Sequence, residues 1–84
     1  MIVIKYFASL KAIADKDEET VDIEKPITMD QLSDIISKST PSMGEILREK
    51  KVMISVNQEM ASAETIIRDG DEVAFLPPFS GGTK

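Results

Sequence analysis

The spacing of hydrophobic and polar positions changes several times along the chain. Residues 2–7 (IVIKYF) are almost continuously apolar and carry no breaker, which predicts a central strand buried on both faces. Residues 9–14 (SLKAIA) have helix-forming composition over too short a run to be stable alone, so they predict a single turn that brings Leu10 and Ile13 onto the body. A polar loop, 15–19, leads into TVDIE at 20–24, where Val21 and Ile23 alternate with Thr20, Asp22 and Glu24. That alternation predicts a strand with one wet face, stopped by Lys25-Pro26.

The period then becomes helical. Thr28-Met29-Asp30-Gln31 is a capping-box sequence, and Met29, Leu32, Ile35 and Ile36 follow on one stripe. Thr40-Pro41 breaks that helix, because the residue before a proline is pushed out of the α region. A second short helix over 42–51 follows, with Met43, Ile46 and Leu47 inward and Arg48, Lys50 and Lys51 near its end. Residues 52–57 (VMISVN) return to strand alternation, and Asn57 opens a turn. Residues 58–68 predict a short edge strand and loop anchored by Ile66 and Ile67. The turn Asp69-Gly70-Asp71 feeds a last strand, 72–76, with Val73 and Phe75 on one face and Ala74 and Leu76 on the other. The order strand, strand, helix, strand, strand predicts an α+β domain with one main helix packed on one face of a mixed sheet.

Composition narrows the function. With 84 residues the chain makes one small domain, read as a folded body at 1–76 and an extended tail at 77–84. No apolar run approaches transmembrane length and the N-terminus lacks a signal-peptide pattern, so the expected location is cytoplasmic and away from membranes. There is neither cysteine nor histidine, which removes disulfides, thiolate nucleophiles, Cys/His metal sites and the usual general base. A net charge of -5 argues against nucleic acid and favours a partner with a basic docking surface. The crowded acids Asp15, Asp17, Glu18, Glu19, Asp22 and Glu24 read as a solvated loop and strand edge.

The distinctive stretch is the end, DGDEVAFLPPFSGGTK. Pro77 and Pro78 cannot donate to a sheet ladder, so they end the last strand and carry the backbone away from the body. From Pro77 to Gly82 the extended chain reaches roughly 20 Å, enough to enter a partner's buried pocket. Gly81-Gly82 admits two readings: a loose chain end, or a backbone kept slender so that its carbonyl can enter a narrow active site. Phe79, beyond the prolines, is placed to anchor in a partner. Phe75 is equally compatible with docking and with plain core.

On these residues the chain resembles the small, sulfur-carrying subunits of molybdopterin synthase, which are ubiquitin-like β-grasp proteins. The opening IVIKYFASLKAIA, the Val56-Asn57-Gln58 after the third strand and above all DGDEVAFLPPFSGG carry the resemblance. It implies a β-grasp fold with the first and last strands side by side and parallel. It also implies a carrier that is not catalytic alone and binds no cofactor of its own. Gly82 would be adenylated by a ubiquitin-activating-type enzyme that uses ATP, converted to a thiocarboxylate by a sulfurtransferase, and inserted into the large subunit of a heterotetrameric synthase. There it would pass sulfur to a pyranopterin precursor in molybdenum cofactor biosynthesis. Gly81, Ser80, Phe79, Pro77 and Phe75 would form the tail and its docking surface, with no metal site. Thr83 and Lys84 depart from the family pattern, in which the chain stops at the second glycine. They leave Gly82 with a peptide carbonyl until they are removed. Two alternatives stay open: a ubiquitin-like protein modifier or sulfur carrier for another pathway such as thiamin or tRNA thiolation, and a β-grasp interaction module with an inert tail.

Overall fold

The computed structural model describes residues 1–49 and 51–77. Strand β1 (Ile2–Tyr6) leads to helix α1 (Ser9–Ala14) and strands β2 (Glu18–Val21) and β3 (Ile27–Thr28). Helices α2 (Met29–Ser39) and α3 (Pro41–Arg48) come next, and then strands β4 (Met53–Val56), β5 (Glu59–Met60), β6 (Ile66–Ile67) and β7 (Glu72–Leu76). Five strands form one mixed sheet in the order β2-β1-β7-β4-β5, and β3 pairs with β6 in a small second sheet. The only parallel pair in the large sheet is β1 with β7, Val3 opposite Glu72 through Tyr6 opposite Phe75. This is the β-grasp arrangement, with the first and last strands adjacent in the middle of the sheet. Parallel neighbours need a crossover, and here the helices supply it.

Local sequence explains where the helices start and turn. Thr28 Oγ1 accepts a hydrogen bond from the Gln31 N–H at 3.1 Å, and the Gln31 side-chain oxygen accepts one from the Thr28 N–H at 2.9 Å, completing the capping box ahead of α2. Thr40, with φ -137° and ψ 77°, leaves the helical region, and Pro41 opens α3, where its missing N–H costs no intrahelical bond. Gly44 lies buried where α3 crosses α2, and a Cβ there would stand 3.0 Å from Ser37 Oγ. A side chain at that position would press on Ser37, so the close approach of the two helices suits glycine there. The core is the layer between helices and sheet. It is built from Ile4, Tyr6 and Phe75 on the sheet side and from Met29, Leu32 and Ile36 of α2.

The structure corrects several expectations. Strand β1 is not buried on both faces: Ile2, Ile4 and Tyr6 are buried while Val3 and Lys5 are half-buried, because the helices cover one face of the sheet only. Ile13 is exposed, and Ala14, one helical turn from Leu10, takes the inward place. The second strand is Glu18–Val21 instead of 20–24, since its pairing to β1 begins with Lys5 opposite Glu18. Val21 and Ile23 still pack partly buried against the core. The segment 58–68 contains two strands, β5 and β6. The second of these pairs with β3, which the alternation did not reveal at only two residues long.

Candidate functional site

Strand β7 precedes the Pro77-Pro78 pair in sequence, and hydrogen bonds hold its beginning from both sides. The turn before it bends at Gly70, whose φ of +93° suits glycine, and Asp71 N–H closes it on the Arg68 carbonyl at 3.0 Å. The Asp71 carboxylate accepts from the Arg68 N–H at 2.8 Å and from the Asn57 side-chain amide at 3.0 Å. The backbone bond from Arg68 holds its carboxyl below the usual range, and the Asn57 bond and the Arg68 charge act in the same direction. Asn57 itself sits at positive φ in the two-residue turn between β4 and β5, and its side-chain oxygen accepts from the Glu72 N–H at 3.0 Å. Two turns distant in sequence are thereby tied together at the start of β7.

The strand then runs between β1 and β4 to its last residue. Phe7 N–H donates to the Phe75 carbonyl at 3.1 Å, and Leu76 stands opposite Met53 of β4. Backbone pairing continues to the residue before Pro77, so β7 is held at the middle of the sheet to its last residue. Of the residues expected to serve the tail, Pro77 is half-buried just after the strand. Phe79, Ser80, Gly81 and Gly82 lie outside the described residues.

Of the two roles open to Phe75, docking surface and core, its burial fits the core. It is 0% exposed and stacks on Tyr6, with 5.7 Å between ring centroids. Its neighbour Leu76 has the opposite side-chain parity and lies on the face of the sheet that no helix covers. Phe7, one residue beyond the β1–β7 register, and Met53, opposite Leu76, belong to the same row, and Met60, opposite Ser55, lies on the same face in the adjacent row. Phe7 is 40% exposed and Met60 68%. Together these four residues make an apolar patch near the end of β7, with the Lys5–Glu72 ion pair (3.7 Å) beside it. The alternation of Phe75 with Leu76 and of Lys5 with Phe7 holds the only sequence signal for this patch, and it does not say which face is left uncovered.

Among the described residues no group of three or more His, Cys, Asp or Glu is placed to hold a metal ion, and every buried side-chain polar atom has a hydrogen-bond partner. None of their helices is long and apolar enough to cross a membrane.

Residues 4–82 match the ThiS family. The chain belongs to that family. The molybdopterin synthase sulfur carrier subunit of Escherichia coli is 32% identical over 82 residues, covering 98% of this chain and all of the relative. The subunit of the same name from Chlamydomonas reinhardtii is 33% identical over 84 residues, covering 96% of this chain and 98% of the relative. Among solved structures, SAMP1 of Haloferax volcanii is similar with a TM-score of 0.82 at 25% identity, over 96% of this chain and 98% of that one. A putative molybdopterin converting factor subunit 1 from Pyrococcus furiosus is similar at 0.79 and 28%, over 92% and 95%. A chain in the complex of subunits 1 and 2 of molybdopterin-converting factor from Helicobacter pylori shares the fold, with a TM-score of 0.65 at 18% identity and 92% coverage of each chain.

Proposed function

We propose that this chain is the sulfur carrier subunit of a molybdopterin synthase. The observation that supports the reading is a β7 paired with β1 up to Phe75 and with β4 up to Leu76, whose end lies beside an apolar patch and is followed in sequence by Pro77-Pro78 and Gly81-Gly82. The full-length likeness to sulfur carrier subunits supports it.

The chemistry follows from the tail. A free Gly82 carboxylate attacks the α-phosphate of ATP on an activating enzyme of the ubiquitin-activating type, releasing pyrophosphate and leaving an acyl-adenylate. The terminal sulfur of a persulfide on a sulfurtransferase then displaces AMP to give an acyl disulfide, and a thiol cleaves its S–S bond, forming a new disulfide on the sulfurtransferase side and releasing the thiocarboxylate. Its sulfur, soft and strongly nucleophilic, is what the large synthase subunit passes to the pyranopterin precursor. With no His or Cys in this chain, the acid, base and anion-binding groups come from the partners. The carrier contributes reach, a slender backbone and a docking face, with Phe7, Met53, Met60 and Leu76 covered by the partner while the tail enters its pocket. Activation requires removal of Thr83 and Lys84, since an amide at Gly82 has no carboxylate oxygen to offer.

The likeness to SAMP1, a small archaeal modifier protein, favours a second reading in which the same activated glycine is joined to lysines of other proteins. Cells expressing tagged chain separate the two: a ladder of covalent conjugates supports the modifier. The carrier reading predicts instead that thiocarboxylated chain and the large subunit together convert the pyranopterin precursor to its dithiolene. Failure of that reconstituted conversion would contradict it.

A further inference from the structure

Ile54 faces the helices, opposite the fully buried Phe75, yet it is only half-buried, and so is Val52 before it. The reason is an open cleft of about 350 Å³ between the β4–β5 edge and α2, with the buried Met29 and Leu47 forming its floor. Two of its lining residues, Met53 and Met60, also belong to the apolar patch near the end of β7. A partner that covers the patch and reaches around the β4–β5 edge at Met53 and Met60 also meets the mouth of the cleft. The volume lies near the small end of ligand pockets, roughly 300–1,000 Å³, and suits one bulky side chain better than an extended ligand. Methionine walls adapt readily to such a guest. At the rim Asp30 is exposed and makes no ion pair among the described residues.

The geometry points to this cleft as a socket into which the large synthase subunit inserts one apolar side chain, flanked by a lysine or arginine that faces Asp30. The inference rests on the carrier reading above. It makes the contact two-part: a flat patch near the end of β7, and a plug beside it that sets orientation. A buried apolar anchor of this kind is where interface energy concentrates.

The test uses chain labelled with carbon-13 at its methionine methyl groups and titrated with the purified large subunit, observed by NMR. Signals of Met29, Met53 and Met60 are expected to shift together, while Met43, fully buried in α3 and outside the cleft, stays in place. If Met53 and Met60 shift and Met29 does not, the partner covers the patch and leaves the cleft empty. That result overturns the socket and leaves the carrier reading standing. If none of them shifts, docking on this face fails and the socket fails with it. Ala63→Trp, at the exposed rim, would fill the cleft and is expected to weaken binding by at least about tenfold with an unchanged melting temperature. Asp30→Lys, on the exposed side of α2, is expected to weaken binding more at low than at high salt. Unchanged affinity in both variants would overturn the inference.

Discussion

The ring of Tyr6 lies stacked on that of Phe75, with 5.7 Å between centroids and 29° between planes. The last residue of β1 and the penultimate residue of β7 thus share one buried contact near the end of both strands. Phe75→Ala should cost about 3–5 kcal/mol of stability, as large-to-small changes at buried aromatics do. Thermal or denaturant unfolding of the variant measures it. A loss below about 1 kcal/mol would show that the stack does not hold β7 in place.

The other end of Tyr6 gives a pH prediction. Its hydroxyl donates to the Glu19 carboxylate, which also accepts from Thr40 Oγ1 at 3.1 Å and lies 3.6 Å from the Lys16 ammonium. Burial pushes the Tyr6 hydroxyl well above its ordinary value of 10.0, and the bond to Glu19 and its charge push the same way. The folded chain therefore keeps this proton at a pH where the unfolded chain releases it. The contribution is fully present below about pH 10 and is lost as pH rises further, with a slope approaching about 1.4 kcal/mol per pH unit. Tyr6→Phe should flatten the alkaline loss seen in melting curves measured across pH 9 to 12. An identical alkaline profile in the variant would rule out Tyr6 as its source.

The patch predicts a separation of binding from stability. Met60→Asp places a charge on an exposed strand position, so it should change stability by less than about 0.5 kcal/mol. It should weaken the complex with the large subunit by more than about tenfold, because an uncompensated carboxylate would be buried there. Titration calorimetry and a melting curve decide. Full affinity in the variant would remove Met60 from the interface.

The tail predicts the same separation more sharply. Gly81→Ile should leave the melting temperature unchanged, since position 81 lies beyond the last strand, while blocking passage into both the activating enzyme and the synthase. Phe79→Ala should lower affinity for the large subunit by more than about 1 kcal/mol. Sulfur transfer at the normal rate by Gly81→Ile would show that slenderness is not what the second-last glycine supplies.

Much of this was legible in the sequence for physical reasons that can be named. The Thr28–Gln31 box, the Thr40-Pro41 break and the Asp69-Gly70-Asp71 turn are local devices, and each appears where its chemistry demands. What escaped were consequences of long-range pairing. Which face of β7 would be covered depends on β1 and β4 lying beside it, so Phe75 and Leu76 could not be assigned to core and surface from their alternation alone. Strand β3 is two residues long and exists only because β6 returns to it. The apolarity of 2–7 suggested burial on both faces, but its outward row, Val3, Lys5 and Phe7, borders the open side of the sheet.

The central claim is that Gly82 becomes a thiocarboxylate, and intact-mass spectrometry tests it most directly. Chains ending at Gly82 and at Lys84 would each be incubated with the activating enzyme, ATP and a sulfurtransferase charged with sulfur. The account predicts that the shorter chain gains the mass of one oxygen replaced by sulfur, with release of pyrophosphate, and that the longer chain is unchanged. A shorter chain whose mass stays constant while the activating enzyme modifies its known substrate in the same mixture would contradict it.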